Sequence, residues 1–276
     1  MRVPTLLAAA LLVTTVQTVA ADARDQFNQK DAVTIDPQKS YIFYRGRFPS
    51  PLRFMRETSP AEEVAWRAER AEALARAQAA YERQAARPRA TTGACETRSC
   101  RGRGAQTVPP TEENFYFPPP EVDNFVLVAH GPQFSRDSEG VSYLIAVPPG
   151  TYVVYGVTIT LPTGVLSVCQ CMGSVRFDAP PGQIVDLGVI YYPRVDAGIR
   201  VNFIDAPAVR PYAPAMTRPA RLNGLPVIAA ELRAADKMPN YFGGIIDRHP
   251  AMPGILRYER DRVIDDRTGQ APTPRP

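Results

Sequence analysis

The sequence predicts a mainly β protein: an antiparallel β-sandwich carrying one helical insertion and an extended, proline-rich C-terminal arm. Three observations support this. Residues 115–191 hold short segments of alternating apolar and polar residues separated by Pro/Gly turns. Residues 60–86 are dominated by Ala, Glu, Arg and Gln, all strong helix formers. Twelve of the 29 prolines fall between 193 and 276, which makes regular structure sparse there. No strand–helix–strand rhythm points to a parallel sheet.

Taken in order, the N-terminus reads as a secretory signal peptide over residues 1–21. Arg2 supplies a positive flank, Leu6 to Val19 is apolar, and Ala20, Ala21 and Ala23 offer small-residue cleavage patterns. The apolar run is too short for a membrane anchor, and no later stretch is long and apolar enough to span a bilayer. The expected protein is exported, periplasmic or secreted, and peripheral to the envelope if it touches it at all.

The sandwich domain is expected over residues 22–192. Val33-Thr34-Ile35 is a short strand candidate, Asp36-Pro37 a turn, and Tyr41 to Arg45 an aromatic, β-branched strand. A helix then interrupts over 60–87. Ser59, Pro60 and Glu62 form a capping box, and Glu63/Arg67 and Glu72/Arg76 are favourable i,i+4 pairs. Val64, Ala71, Leu74 and Tyr81 give it only a thin apolar stripe, so it reads as a solvated, projecting insertion. Residues 88–113 form a long loop. Strands follow at Asn124–His130, Val141–Val147, Thr151–Thr160, around Val175 and Phe177, and through Val185, Leu187, Val189 and Tyr191. Pro148-Pro149-Gly150, Leu161–Gly164 and Pro180-Pro181-Gly182 are the turns between them. Residues 193–268 form the arm, packed on the sandwich, with short strands or one short helix near Ala229–Ala235. Residues 269–276 are expected as a disordered tail.

The formal charge of +4 is unevenly spread. Residues 45–104 carry 13 basic and 7 acidic groups, 105–193 carry 2 and 8, and 194–276 carry 13 and 9. Arg-rich flanks therefore surround an acidic centre. Of the 32 basic residues 29 are Arg. No nucleic-acid motif accompanies them, and RGRG at 101–104 is a single copy, so a nucleic-acid partner is not expected.

Four cysteines, Cys95, Cys100, Cys169 and Cys171, are disulfide candidates in an oxidising compartment. Three pairings are open. On an extended strand, positions 169, 171, 173, 175 and 177 would share one face, putting both thiols on the core side. A 169–171 bond would strain an extended segment, because i,i+2 residues lie near the upper limit of bridging distance. The two histidines, His130 and His249, form no ligand pair, no zinc spacing or glycine-rich phosphate loop is present, and no G-x-S-x-G elbow occurs. Asp261, Asp265 and Asp266 sit among Arg260, Arg262 and Arg267, a self-neutralising surface run rather than a calcium loop. No catalytic residue, metal ligand or cofactor is assigned. The aromatic turn at Met238-Pro239-Asn240-Tyr241-Phe242 offers Met238, Tyr241 and Phe242 as either a contact knob or an anchor for the arm.

Tyr143 to Tyr152, with its Pro148-Pro149-Gly150-Thr151-Tyr152 hairpin, resembles the small prealbumin-like β-sandwich domains of bacterial envelope proteins. The Cys169-Gln170-Cys171-Met172-Gly173 segment followed by Pro181 to Gly188 resembles exported proteins of alphaproteobacterial type. These carry a domain of unknown function similar to domains in bacterial lipoproteins. The resemblance covers residues 120–192 best. It implies a prealbumin-like or Ig-like sandwich and brings no catalytic residue. The acylated cysteine of the lipoproteins has no counterpart here.

The function expected is a non-catalytic, exported cell-envelope protein with a binding or scaffolding role, its partner an envelope protein or a glycan. Two alternatives stand beside it: a thiol redox protein using Cys169 and Cys171, and binding to an anionic surface through the Arg-rich flanks. The sequence assigns no oligomeric state.

Overall fold

A computed structural model of the chain describes residues 25–46, 51–86, 108–129, 131–138, 140–161, 164–189 and 218–272. The expected signal peptide, Tyr191 and the apolar run at 201–204 lie outside the described residues. Among the described residues, fourteen strands and one α-helix make the protein mainly β. In chain order they are β1 (Ser40–Gly46), β2 (Leu52–Arg56), α1 (Pro60–Ala85), β3 (Phe125–Leu127), β4 (Ser135–Asp137), β5 (Gly140–Val147) and β6 (Gly150–Leu161). Then come β7 (Gly164–Cys169), β8 (Ser174–Ala179), β9 (Ile184–Val189), β10 (Val227–Ala229), β11 (Arg233–Ala235), β12 (Ile245–Ile246), β13 (Leu256–Glu259) and β14 (Arg262–Asp265).

One sheet has the order β10-β9-β1-β5-β4. The other runs β11-β8-β6-β2-β3, with β7 and then β12 continuing beside the second half of β6. The expectation of purely antiparallel pairing is corrected. β9 lies parallel to β1, β10 parallel to β9, and β12 parallel to β7. Parallel neighbours need a long crossover. Here the chain between β1 and β9 passes through strands of the other sheet rather than through one helix, so no strand–helix–strand rhythm records it.

Both sheets are buried on both faces, giving three apolar layers. The central layer joins the sheets: Ile42, Tyr44, Tyr143, Ile145, Val185 and Leu187 from the first meet Phe54, Tyr152, Val154, Val175 and Phe177 from the second. An outer layer on the first sheet gathers Tyr41, Phe43, Phe134, Leu144 and Ile184 under Phe27, Val33, Ile35 and Leu222. An outer layer on the second sheet gathers Met55, Val153, Tyr155, Cys169 and Cys171 under Ala235, Met238 and Tyr241. This double burial explains the near-continuous apolar runs of β1, β5 and β6, which a sheet with one solvated face would not need.

Residues 33–35 pack into the outer layer without forming a strand. Leu52–Arg56, outside the strands expected from the sequence, is an interior strand between β3 and β6. Of the two readings near 229–235, the short strands form, as β10 and β11. The expected tail is ordered at its start, since Gly269 and Gln270 turn back to hydrogen-bond the backbone of Asp265. Hairpin β13–β14 contributes Leu256 and Val263 to the central layer.

Helix α1 starts as the sequence dictates. The Ser59 side chain accepts from the Glu62 N–H, and the Glu62 carboxylate accepts from the Ser59 N–H. Arg56 holds that carboxylate from β2, fixing the helix to the sheet. Burial opposes ionisation of Glu62, but Arg56 and Ser59 outweigh it and hold the carboxyl down at about 2. The helix packs one narrow edge, with Leu74 buried, against residues 108–119. Trp66 Nε1–H donates to the Pro118 carbonyl at 2.7 Å, Gln78 to the Pro110 carbonyl at 3.0 Å, and Arg70 pairs with Glu112.

Gly156 marks the tightest strand contact. A Cβ there would collide with the backbone carbonyl of Val168 on β7, so the strands close to pairing distance only around a glycine. Gly156→Ala should lower stability by about 3 kcal/mol, the upper end for overpacking because backbone cannot swing aside. Gly131→Ala, where nothing lies within 4 Å of the added atom, should leave it unchanged. Urea denaturation of the pair checks this, and equal midpoints would refute the packing account.

Candidate binding surface

The site is built where β6 changes partner. Gly156 faces Cys169 on β7, while Val153 faces Arg176 on β8. Three steps along β6 thus correspond to seven along the opposing chain, and the surplus is the segment Gln170–Gly173. Gln170 N–H still reaches the Tyr155 carbonyl at 2.8 Å, and the Ser174 hydroxyl donates to the Val154 carbonyl, so both ends of the excursion are tied to β6.

Within it the chain turns. Cys169 and Cys171 lie with Cα atoms 5.2 Å apart and their sulfurs in direct contact, inside the normal bridging range. Both are buried, at 1% and 2% exposure. The expected face is corrected. Val175 and Phe177 point into the central layer, but the cysteines point to the opposite face of the sheet. The excursion adds residues outside the ladder, so parity counted along an unbroken strand no longer holds. Cys95, Cys100, Ala20, Ala21, Ala23 and His130 lie outside the described residues.

The excursion is also the seat of the C-terminal arm. Met238 N–H donates to Cys171 O at 2.8 Å, Asp247 N–H to Cys169 O at 2.8 Å, Met172 N–H to Asp247 O at 2.9 Å and His249 N–H to Gly173 O at 2.9 Å. Tyr155 receives the arm's side: its Oη accepts from Tyr241 N–H at 2.9 Å, donates to the Pro239 carbonyl at 3.0 Å and lies 3.7 Å from Cys171 Sγ. Met238 and Tyr241 are therefore anchors. Phe242 sits above them, its ring edge-on to Phe125 at 4.6 Å and still 43% exposed.

A rigid turn presents it. The Asn240 side chain donates to Gly244 O at 2.8 Å and accepts from Gly244 N–H at 3.0 Å. Gly243 supplies the left-handed residue, with φ 60°. Beyond the turn, Ile245 and Ile246 pair with β7 as its outermost neighbour and are exposed, Ile246 at 58%. Leu127, on the edge strand β3, is also exposed. Under Phe242 lies Arg53, its guanidinium carbon 4.2 Å from the ring centroid. It donates to Thr158 Oγ1 at 2.9 Å and Ser167 Oγ at 3.4 Å. Burial lowers the Arg53 pKa, against a smaller opposing effect of Tyr155. Sequence reasoning missed Arg53 and its strand, for which the alternation Leu52-Arg53-Phe54 was the signal available; Leu127 lies on the strand expected over 124–130, without having been assigned to a surface.

Other candidate features take structural places. Asp266 pairs with Arg257 at 3.1 Å. Among the described residues no group of three or more His, Cys, Asp or Glu side chains is arranged to hold a metal. Helix α1 is not basic, carrying five glutamates and four arginines over 60–85, with Glu63–Arg67 and Glu72–Arg76 paired along its surface. No helix among the described residues is long and apolar enough to cross a membrane. The chain matches no family model, no curated protein and no solved structure.

His249 is buried at the foot of the arm, with Nδ1 2.8 Å from the Pro250 carbonyl. Burial pushes its pKa down, the Pro250 contact opposing more weakly. The unfolded chain therefore takes up a proton near the ordinary 6.5 while the folded one resists. Stability should be full above that pH and fall as the pH drops below it. Asp247 has the opposite sign, since burial raises its carboxyl, with the Arg248 N–H and charge opposing more weakly. Urea midpoints between pH 7 and pH 5 should decline in the native sequence, with a visibly shallower slope in His249→Gln. Parallel slopes would remove His249 from the account.

Proposed function

We propose that the protein is a non-catalytic, exported β-sandwich of prealbumin-like type that binds or scaffolds in the cell envelope, using the arm-capped outer face of its second sheet as the contact surface. The observation that carries this reading is the Asn240–Gly244 turn with the short strand β12 that follows it. A segment pinned by side-chain and backbone hydrogen bonds holds Phe242, Ile245 and Ile246 in solvent. Apolar side chains exposed next to one another, rather than scattered singly, are the kind of patch that contact surfaces use, and rigidity lowers the ordering cost of association.

The Cys169–Cys171 contact is read as a disulfide that shapes the seat of the arm. Its burial under Tyr155, Met238 and Tyr241 favours a structural role over the thiol redox alternative, which needs an accessible sulfur. The balanced charge of α1 takes that helix away from the anionic-surface alternative based on Arg-rich flanks.

Cell fractionation tests the reading. The native protein should be exported and recovered with the envelope fraction, and deletion of residues 60–87 should leave that association intact. The double variant Phe242→Ser/Ile246→Ser should be exported, folded and recovered mainly in the soluble fraction. Association unchanged in the double variant, or lost in the helix deletion alone, would move the contact surface elsewhere.

A further inference from the structure

The Cys169–Cys171 pair lies where the arm is seated. It shares an apolar layer with Met55, Val153 and Tyr155 of the sheet and with Ala235, Met238 and Tyr241 of the chain that covers it. Cys171 Sγ is 3.5 Å from the Pro239 carbonyl oxygen and 3.7 Å from Tyr155 Oη. The Cys171 carbonyl accepts from Met238 N–H, and the Cys169 carbonyl from Asp247 N–H. Sulfur and carbonyl of Cys171 therefore meet the same stretch of the arm.

The sheet side of the pair has no slack. Cys169 ends β7 opposite Gly156, where the Val168 carbonyl already fills the space a Cβ would need. Gln170 N–H and the Ser174 hydroxyl tie the excursion to β6, and Gly173 N–H closes it on the Gln170 carbonyl at 3.3 Å. On the other side, residues 236–244 form neither strand nor helix and are held by single contacts such as those of Met238 and Tyr241 N–H. A disulfide and two thiols do not occupy the same space. Bonded sulfurs sit inside van der Waals contact, and once freed they must separate to it in an interior with no room to spare. Such overpacking is relieved by the wall that gives first. Here that wall is the arm.

We infer that the Cys169–Cys171 bond is a redox latch: oxidised, it lets the arm close over the sheet, and reduced by a dithiol, it drives residues 236–249 off their seat. This rests on the disulfide reading above and goes beyond it. A thiolate of the dithiol attacks one sulfur to form a mixed disulfide, and its second thiol then displaces that sulfur. The pair ends as two thiols and the dithiol as a disulfide, two electrons and two protons having passed to the protein. Both sulfurs are buried under the seated arm, so attack requires the lifted state. Arm position and redox state then bias each other by the same factor, which makes the pair a switch rather than a thiol enzyme. Lifting the arm also withdraws Phe242 from Arg53, so the contact surface belongs to the oxidised form.

Trypsin reads the arm directly, because the exposed Lys237 and Arg248 bracket it. Thiol alkylation and intact mass of protein purified without reductant first count the bonded cysteines. Free Cys169 and Cys171 at that stage overturn the inference together with the disulfide reading. The oxidised protein is then incubated with dithiothreitol, and cleavage after Lys237 and Arg248 is followed against cleavage after Arg83, exposed on α1. Reduction of the pair should raise cleavage at the two arm sites about tenfold, tracking the opened population, with Arg83 unchanged. Cys169→Ala/Cys171→Ala has neither the bond nor the crowding and keeps Cys95 and Cys100. It should be cleaved at the oxidised rate with or without dithiothreitol, and circular dichroism confirms its fold. A pair that stays oxidised in the folded protein, arm cleavage unchanged by its reduction, or an arm released in the double alanine variant overturns the latch and leaves the disulfide reading standing.

Discussion

Four backbone hydrogen bonds between residues 169–173 and the arm at 238, 247 and 249 hold the second sheet's outer face in place. Without the surplus residues of Gln170–Gly173, β7 and β8 would form one continuous partner for β6, and their outward carbonyls and amides would offer no break for the arm to enter. With them, Cys169 and Gly173 become acceptors for Asp247 and His249, and Cys171 an acceptor for Met238. Everything that gives this face its character follows from that seating: the burial of the cysteines, the capture of Tyr155 by Pro239 and Tyr241, and the position of Phe242 above Arg53. Backbone hydrogen bonds depend little on side-chain identity, which is why a proline-rich segment of low secondary-structure propensity can still be held in one place.

Much of the strand content was legible because it is local. Alternation in Val141–Val147 and the Pro-Pro-Gly turns at 148–150 and 180–182 fix hairpin positions directly, and the Ser59–Glu62 capping box fixes the start of the helix. Three things were not legible. β2 carries Leu52 and Phe54 inward and Met55 outward, but Arg53 and Arg56 break the run, so it lacks the apolar density of a recognised interior strand. Parallel neighbours arise from how the chain crosses between sheets, which no local window contains. The facing of Cys169 and Cys171 depends on an excursion that parity along an unbroken strand cannot register. The candidate surface was half visible for the same reason. Met238, Tyr241 and Phe242 announce themselves as an aromatic cluster in one stretch of sequence. Arg53 belongs to the surface only because a residue nearly two hundred positions later folds over it.

The layered arrangement also accounts for the distribution of polar groups. With both sheets covered on both faces, charged side chains of interior strands emerge only at sheet edges or beneath the covering segments. Arg45, buried at the end of β1, reaches Asp137 on the edge strand β4, and Asp186, buried on β9, is met by Arg218 from the segment that returns to cover the sheet. These pairs tie an edge strand and a covering segment to interior strands at points where an unpaired charge would be expensive.

Covering both sheets with sequence-distant segments has a consequence for how the molecule is made. β1, β5, β6 and β9 are all synthesised before residues 218–272 exist, yet those later residues supply β10, β11 and β12, the lid over Tyr155 and the Leu256–Val263 plug of the central layer. Until they arrive, the growing chain carries paired sheets with bare apolar faces and an unfilled core. Contacts of such long sequence separation form late and slowly, and half-covered sheets are the species most prone to stick to one another. The nascent chain therefore keeps apolar surface uncovered over most of its length, and the interval between completing β9 and docking the arm sets how long that surface stays open.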